Sequence, residues 1–281
     1  MPASTVVGRV VALCRYPVKS MAGEELNAAE VRDTGLLGDR TYGIVDLETG
    51  KVASAKNPNK WPDLLQFRAA YVEPPQPGTI LPAVRITFPD GSSILSSSPD
   101  VDQRLSQFFG RQVSLRGNAP GAPGLEEYWP DIEGLSRRDE VTDEAMPPAT
   151  FFDCATVHVL STSTLDQLRA LYPDGRFEAR RFRPNVMVQL DSGEKGFAEN
   201  QWVGRQLAIG DHLSLDITMP CPRCVMTTLP QSDLPQDPAI LRAAVKHNQA
   251  TVGVYASVVR GGVIRRGDSV AVQQSIAFGA A

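Results

Sequence analysis

From end to end the chain is broken into short apolar, often β-branched runs, and Gly or Pro interrupts each before it could grow into a long helix. With 23 Gly and 22 Pro among 281 residues, that punctuation favours a turn-rich, β-rich architecture. Residues 5–14 (TVVGRVVALC), 66–73 (QFRAAYVE) and 84–88 (VRITF) read as strands, and GIVDLETGKVASA reads as a hairpin turning at Thr49 and Gly50. A short helix is expected from Asp100 to Phe109. The segment from Asn118 to Pro148, crowded with Pro, Gly and acids, reads as a long connecting loop or lid.

The second half opens on VHVLS, a buried-strand pattern. Ser163-Thr-Leu-Asp166 then resembles a capping box for a helix ending near Leu171. FRPNVMVQL, LAIGDHLSLDI and VGVYASVVR are strand-like, and Asp237-Pro238 places a cap and a first-turn proline at the start of a second helix. IGDHLSLDI and RRGDSVAV share a Gly-Asp pair before alternating apolar residues, as two tight turns feeding strands would. The expected fold is mainly β with a few helices, of β-barrel type. A β-barrel-like domain over 1–117 is followed by a connecting loop over 118–150, a second β-barrel domain over 151–275 and a tail over 276–281.

Composition excludes several function classes. Net charge is −4, with no basic block, so nothing offers a track for the phosphates of nucleic acid. No apolar run approaches the roughly 18 to 20 residues that span a bilayer, and MPASTVVGRVV lacks the charge pattern of a signal peptide. A cytoplasmic monomer that does not enter membranes is expected. The four cysteines do not form a secreted disulfide framework and read as reduced thiols.

Cys221-Pro-Arg-Cys224 is the sharpest local feature. Two thiols at this spacing can share a metal, but a structural zinc needs four ligands and no second pair accompanies them. Thiol exchange normally places such a pair at the start of a helix, whereas VMTTLPQ after Cys224 is β-branched and ends in proline. Buried cysteines acting as small hydrophobes are a further reading. Arg223 between the two would favour a thiolate, the form a soft metal requires.

The runs RFRPNVMVQL, GFAENQWVGRQLAIGDHLSL and MPCPRCVMTT resemble the MOSC domain. The earlier runs RYPVKSMAGEEL, GLLGDRTYGIVD and VASAKNPN resemble the β-barrel domain that precedes it. Their joint order is similar to that of amidoxime-reducing components and YcbX-like proteins. The resemblance implies a molybdenum cofactor whose metal is held by Cys224, with Cys221 as its neighbour beside Arg223. It further implies that Lys19, Ser20 and Arg40 bind the phosphate end of the cofactor, that Arg183 and Asn185 lie near the pterin, and that Lys56 faces it. Asp153 takes the place of an acidic residue near the metal, with Cys154 at the small position that follows. The phosphate set offers a point charge, a hydroxyl and a planar fork.

The activity implied is two-electron reduction of N-hydroxylated compounds such as amidoximes, hydroxylamines or N-hydroxylated purines. No ferredoxin-like cysteine set follows, so no intrinsic iron–sulfur cluster is expected, and electrons would come from a separate ferredoxin-like protein, flavoprotein or cytochrome b5-like donor. The chain is too short for the pyridoxal-phosphate module of the sulfurases. A carrier of the cofactor or of sulfur, without turnover, is the alternative function, and a zinc-binding or purely structural β-barrel adaptor is a second.

Overall fold

The computed structural model describes residues 4–191 and 193–273. Its central element is a closed barrel of seven strands in the order Ser4–Arg15, Val186–Leu190, Val157–Ser161, Thr251–Arg260, Leu213–Pro222, Gln206–Ile209 and Ser269–Gln273, the last returning to the first. All neighbours are antiparallel except Val157–Ser161 and Val186–Leu190. A parallel pair needs a crossover, and the helix Thr162–Leu171 with the short helix Ala179–Phe182 supplies it.

Alternation along these strands builds two cores. Val10, Leu13, Val157, Val159, Val186, Val188, Leu215 and Val254 fill the barrel, while Leu160, Met187 and Val252 face outward beneath Leu165, Leu168, Ile240 and Ala244 of the two longer packed helices. The first strand comes from the N-terminal segment and is integral to this barrel, with Gly8 opposite Leu190 and Val6 opposite Ala271. The rest of the N-terminal half forms small sheets, Gly43–Asp46 with Val113–Arg116 and Arg68–Tyr71 with Val84–Thr87 and Ser93–Leu95. They surround a separate core that includes Phe67, Ile86 and Leu105.

Three local expectations are corrected. The 118–150 segment is not a structureless loop: Gly124–Trp129 and Glu140–Ala145 form an antiparallel hairpin. Its acids are held by lysines distant in sequence, Glu126 by Lys51 and Lys60 and Glu127 by Lys56. The helix expected to start at Ser163 is capped two residues earlier, where the Ser161 hydroxyl accepts from the Thr164 N–H. The second helix runs from Ala239 to Asn248, one residue later than expected, with Asp237 accepting from the Ala239 N–H. Among the described residues no helix is long and apolar enough to cross a membrane.

Candidate functional site

The strand Leu213–Pro222 and its neighbour Thr251–Arg260 shift register between Pro220 and Pro222. Prolines lack the N–H that a ladder needs, and such bulges re-aim side chains. Cys221 sits at this irregularity and is fully buried. The chain then turns through Arg223, whose N–H donates to the Ala250 carbonyl at 2.7 Å, into the short helical turn Val225–Thr228 capped by Cys224. Cys224 and Arg223 thereby reach a cleft of about 490 Å³, which Arg40, Lys56, Asp153, Arg183 and Asn185 also line.

The remaining expected residues, Lys19, Ser20 and Cys221, lie behind this wall. Lys19 is buried, donates to the Phe151 carbonyl at 3.1 Å and forms an ion pair with Asp153. Ser20, at φ 63°, directs its hydroxyl oxygen to the Ala55 N–H. Asn185 lines the cleft, but its amide is already engaged: the oxygen accepts from the His158 N–H, and the nitrogen donates to the Cys14 carbonyl and to Asp39. It acts here as a cross-link between barrel strands. Arg40 pairs with Asp39, and the Arg40 and Arg183 guanidinium groups lie 4.8 Å and 4.2 Å from the Tyr16 ring centroid. Burial, reinforced by the charge of Arg40, lowers the Arg183 pKa to about 10.

Charge is organised around Asp153. Burial raises its pKa, but Lys19, Lys56 and Arg40 together outweigh that and hold the carboxyl well below the usual range. A carboxylate held low stabilises the fold above its unfolded pKa of about 3.9, and that contribution is lost as pH falls below it. The stability gap between the wild type and Asp153→Asn, from urea midpoints, should therefore begin to narrow as pH falls below about 5 and keep narrowing toward the depressed native pKa. A gap that stays constant would show that the pair is energetically silent.

The two cysteines of the pair differ. Arg223 donates to Cys221 Sγ at 2.7 Å, and with His158 and Tyr255 it overcomes the effect of burial and lowers the Cys221 pKa to about 6. Burial and the neighbouring Glu127 instead push the Cys224 thiol up to about 11, against Lys56 and Arg223. The expectation that Arg223 would favour a thiolate is met at Cys221 but outweighed by burial at Cys224, the residue expected to hold the metal. Among the described residues no three His, Cys, Asp or Glu side chains converge as a metal site, so the four-donor set of a structural zinc is not assembled.

Sequence reasoning missed Glu127, Trp129, Glu144, His158 and Tyr255, all on the cleft wall, which Cys154 also lines. His158 and Tyr255 face each other across neighbouring strands, a pairing that only the fold reveals.

The MOSC N-terminal beta barrel domain matches residues 7–119, and the MOSC domain matches residues 147–271. The chain belongs to the MOSC family. Residues 120–146, which include the hairpin, fall between the two matches. Relatives of this MOSC protein include mitochondrial amidoxime reducing component 2 of Rattus norvegicus, 23% identical over 94% of this chain and 83% of the relative. Mitochondrial amidoxime-reducing component 1 of Mus musculus is 28% identical over 79% of this chain and 66% of the relative. Among solved structures, the YUAD protein from Bacillus subtilis aligns over 98% of this chain and 100% of its own, at 14% identity and a TM-score of 0.49.

Proposed function

We propose that this MOSC protein reduces N-hydroxylated compounds with a molybdenum cofactor, using electrons from a separate ferredoxin-like protein, flavoprotein or cytochrome b5-like donor. The observation that carries the reading is the position of Cys224: in a MOSC chain it stands on the wall of a cleft lined by the cations Arg40, Lys56, Arg183 and Arg223. The residues fit an anionic, sulfur-ligated group. Arg223 has a buried Nε with no partner among the described residues, while its other nitrogens hold Cys221 and the Phe182 carbonyl.

Cys224 would hold the metal as a soft ligand, and the four cations would balance the negative charge of the group. When bound, the cofactor supplies the two-electron chemistry. In the reaction the N–O bond breaks, the nitrogen gains hydrogen, and oxygen leaves as water after uptake of two electrons and two protons. Asp153, kept ionised by Lys19, can accept a hydrogen bond from the N–OH or N–H of the substrate and so orient it. Lys19 fixes that carboxylate from behind, and Ser20 fixes the Ala55 turn that leads to Lys56.

Relatives named for amidoxime reduction make benzamidoxime the natural probe. Protein from a cofactor-competent host should carry close to one molybdenum per chain and reduce benzamidoxime with a chemical electron donor. Molybdenum without turnover would favour a carrier, and stoichiometric zinc without molybdenum would refute the reading.

A further inference from the structure

The hairpin that sequence reading missed forms one wall of the cleft, and the reaction above leaves its side chains without a role. Leu125 stands opposite Glu144 and Glu127 opposite Thr142, so the two-residue period places Leu125, Glu127 and Trp129 on one face together with Thr142 and Glu144. The Trp129 Nε1–H donates to the Thr142 hydroxyl at 2.8 Å, and that hydroxyl donates to Glu144 Oε1 at 2.7 Å. An indole face and a carboxylate are thereby held in a fixed relation, and both line the cleft beside Leu135 and Ser136.

A group of this protein already samples that pair. The Arg137 guanidinium lies 5.9 Å from the Trp129 ring centroid and 3.9 Å from Glu144, the far edge of both interactions, on a side chain that is 49% exposed. An aromatic face attracts a cation through its quadrupole, and a carboxylate accepts from planar N–H groups, so together they suit a flat nitrogen cation better than a neutral amide. Arg40, Lys56, Arg183 and Arg223 carry the opposite requirement elsewhere on the same wall. A cation held at the hairpin is repelled from them, which leaves an uncharged hydroxyl as the end that can approach Cys224.

We propose that Trp129 and Glu144 form a substrate-selecting seat for planar nitrogen cations, with Arg137 as the loosely held group that a ligand displaces. Resting on the function proposed above, the seat selects substrates that carry a planar nitrogen cation over neutral ones of the same shape. The hairpin falls between the two matched family segments.

The seat can be read without turnover. Trp61 and Trp202 are buried, whereas Trp129 is half-buried on the cleft, so quenching of tryptophan fluorescence in the full chain reports on Trp129, with phenylguanidine as cation and phenylurea as its neutral counterpart. Phenylguanidine should quench saturably and bind about tenfold more tightly than phenylurea, the difference expected from one partly exposed charge pair with a ring contact. Glu144→Gln, which keeps the hydrogen bond to Thr142, should erase that preference. Arg137→Ala should tighten phenylguanidine, and Trp129→Phe should remove the signal. Equal affinity for the two probes, an unchanged preference in Glu144→Gln, weaker binding in Arg137→Ala, or quenching that survives Trp129→Phe would each overturn the proposal. Since no electron transfer is involved, a failure of benzamidoxime reduction would leave this result standing, and a failure of selectivity would leave the reductase reading standing.

Discussion

Reduction of benzamidoxime should fall to background in Cys224→Ala while the protein stays folded, because this side chain is half-buried on the cleft wall and packs only the edge of the Phe67 core. Molybdenum content should fall with it. Cys221→Ala should behave differently. Its thiol is buried behind the wall and serves as acceptor for Arg223, so its removal leaves Arg223 Nη1 unpaired beside an Nε that already lacks a partner. An unpaired buried donor costs about 1 to 3 kcal/mol, more for a charged group. The expected result is a less stable protein that retains molybdenum and a measurable rate, reduced by about tenfold if misplacement of Arg223 removes roughly 1.4 kcal/mol of transition-state stabilisation. Cys154→Ala is the control, an exposed thiol on the same cleft that should leave the rate nearly unchanged. Parallel metal analysis and initial rates at matched folded concentration decide the matter. Equal, complete loss in Cys221→Ala and Cys224→Ala would point to a paired-thiol function, and an active Cys224→Ala would end the ligand assignment.

In the sequence only the family resemblance separated the two cysteines, and the reason is geometric. Spacing alone makes two cysteines around Pro-Arg look equivalent. The register shift between Pro220 and Pro222 separates them, leaving Cys221 in the barrel wall and delivering Cys224 to the cleft. The barrel strands were legible because their Val-, Ile- and Leu-rich runs are buried on one or both faces. That Ser4–Arg15 closes the barrel was not, since its partners lie about 180 residues or more away and only long-range pairing decides their register. The hairpin escaped for a different reason. Glu and Asp are poor strand formers by propensity, and the lysines that neutralise them, Lys51, Lys56 and Lys60, sit in another sequence region. Charged and polar positions such as Lys19, Arg40 and Arg183 came from the resemblance and proved to share one electrostatic neighbourhood. Ser20 and Asn185 came the same way, and their hydrogen bonds are largely committed to the fold.

Arg181→Ala should destabilise the protein more than any surface change, by roughly 3 to 5 kcal/mol, through the loss of buried hydrogen bonds and the cavity left behind. In the sequence RFEARRFRPN it is one of four arginines, and Arg176 and Arg180 are indeed solvent-exposed partners of Glu178 and Asp233. Arg181 is fully buried instead. Its guanidinium donates to four carbonyls, Arg176 at 2.9 Å, Thr227 at 3.1 Å, Leu229 at 3.2 Å and Pro235 at 2.8 Å. Burial lowers its pKa, with the charges of Asp237 and Glu178 opposing. Three of the four carbonyls belong to the segment that follows Cys224, so this one side chain sets the path along which the chain leaves the cleft. A lysine has three donors on a single point and cannot span carbonyls that diverge around a planar fork, so Arg181→Lys should recover only part of the loss. Arg181→Met separates the causes, since it fills similar volume without donors. Urea unfolding of the three variants is the measurement, with molybdenum content of the folded fraction as its companion. If Arg181→Met is as stable as the wild type, the carbonyl network contributes nothing net and the burial of this charge must be explained by specificity alone. If it is destabilised and also loses metal, the network is what holds Cys224 in place.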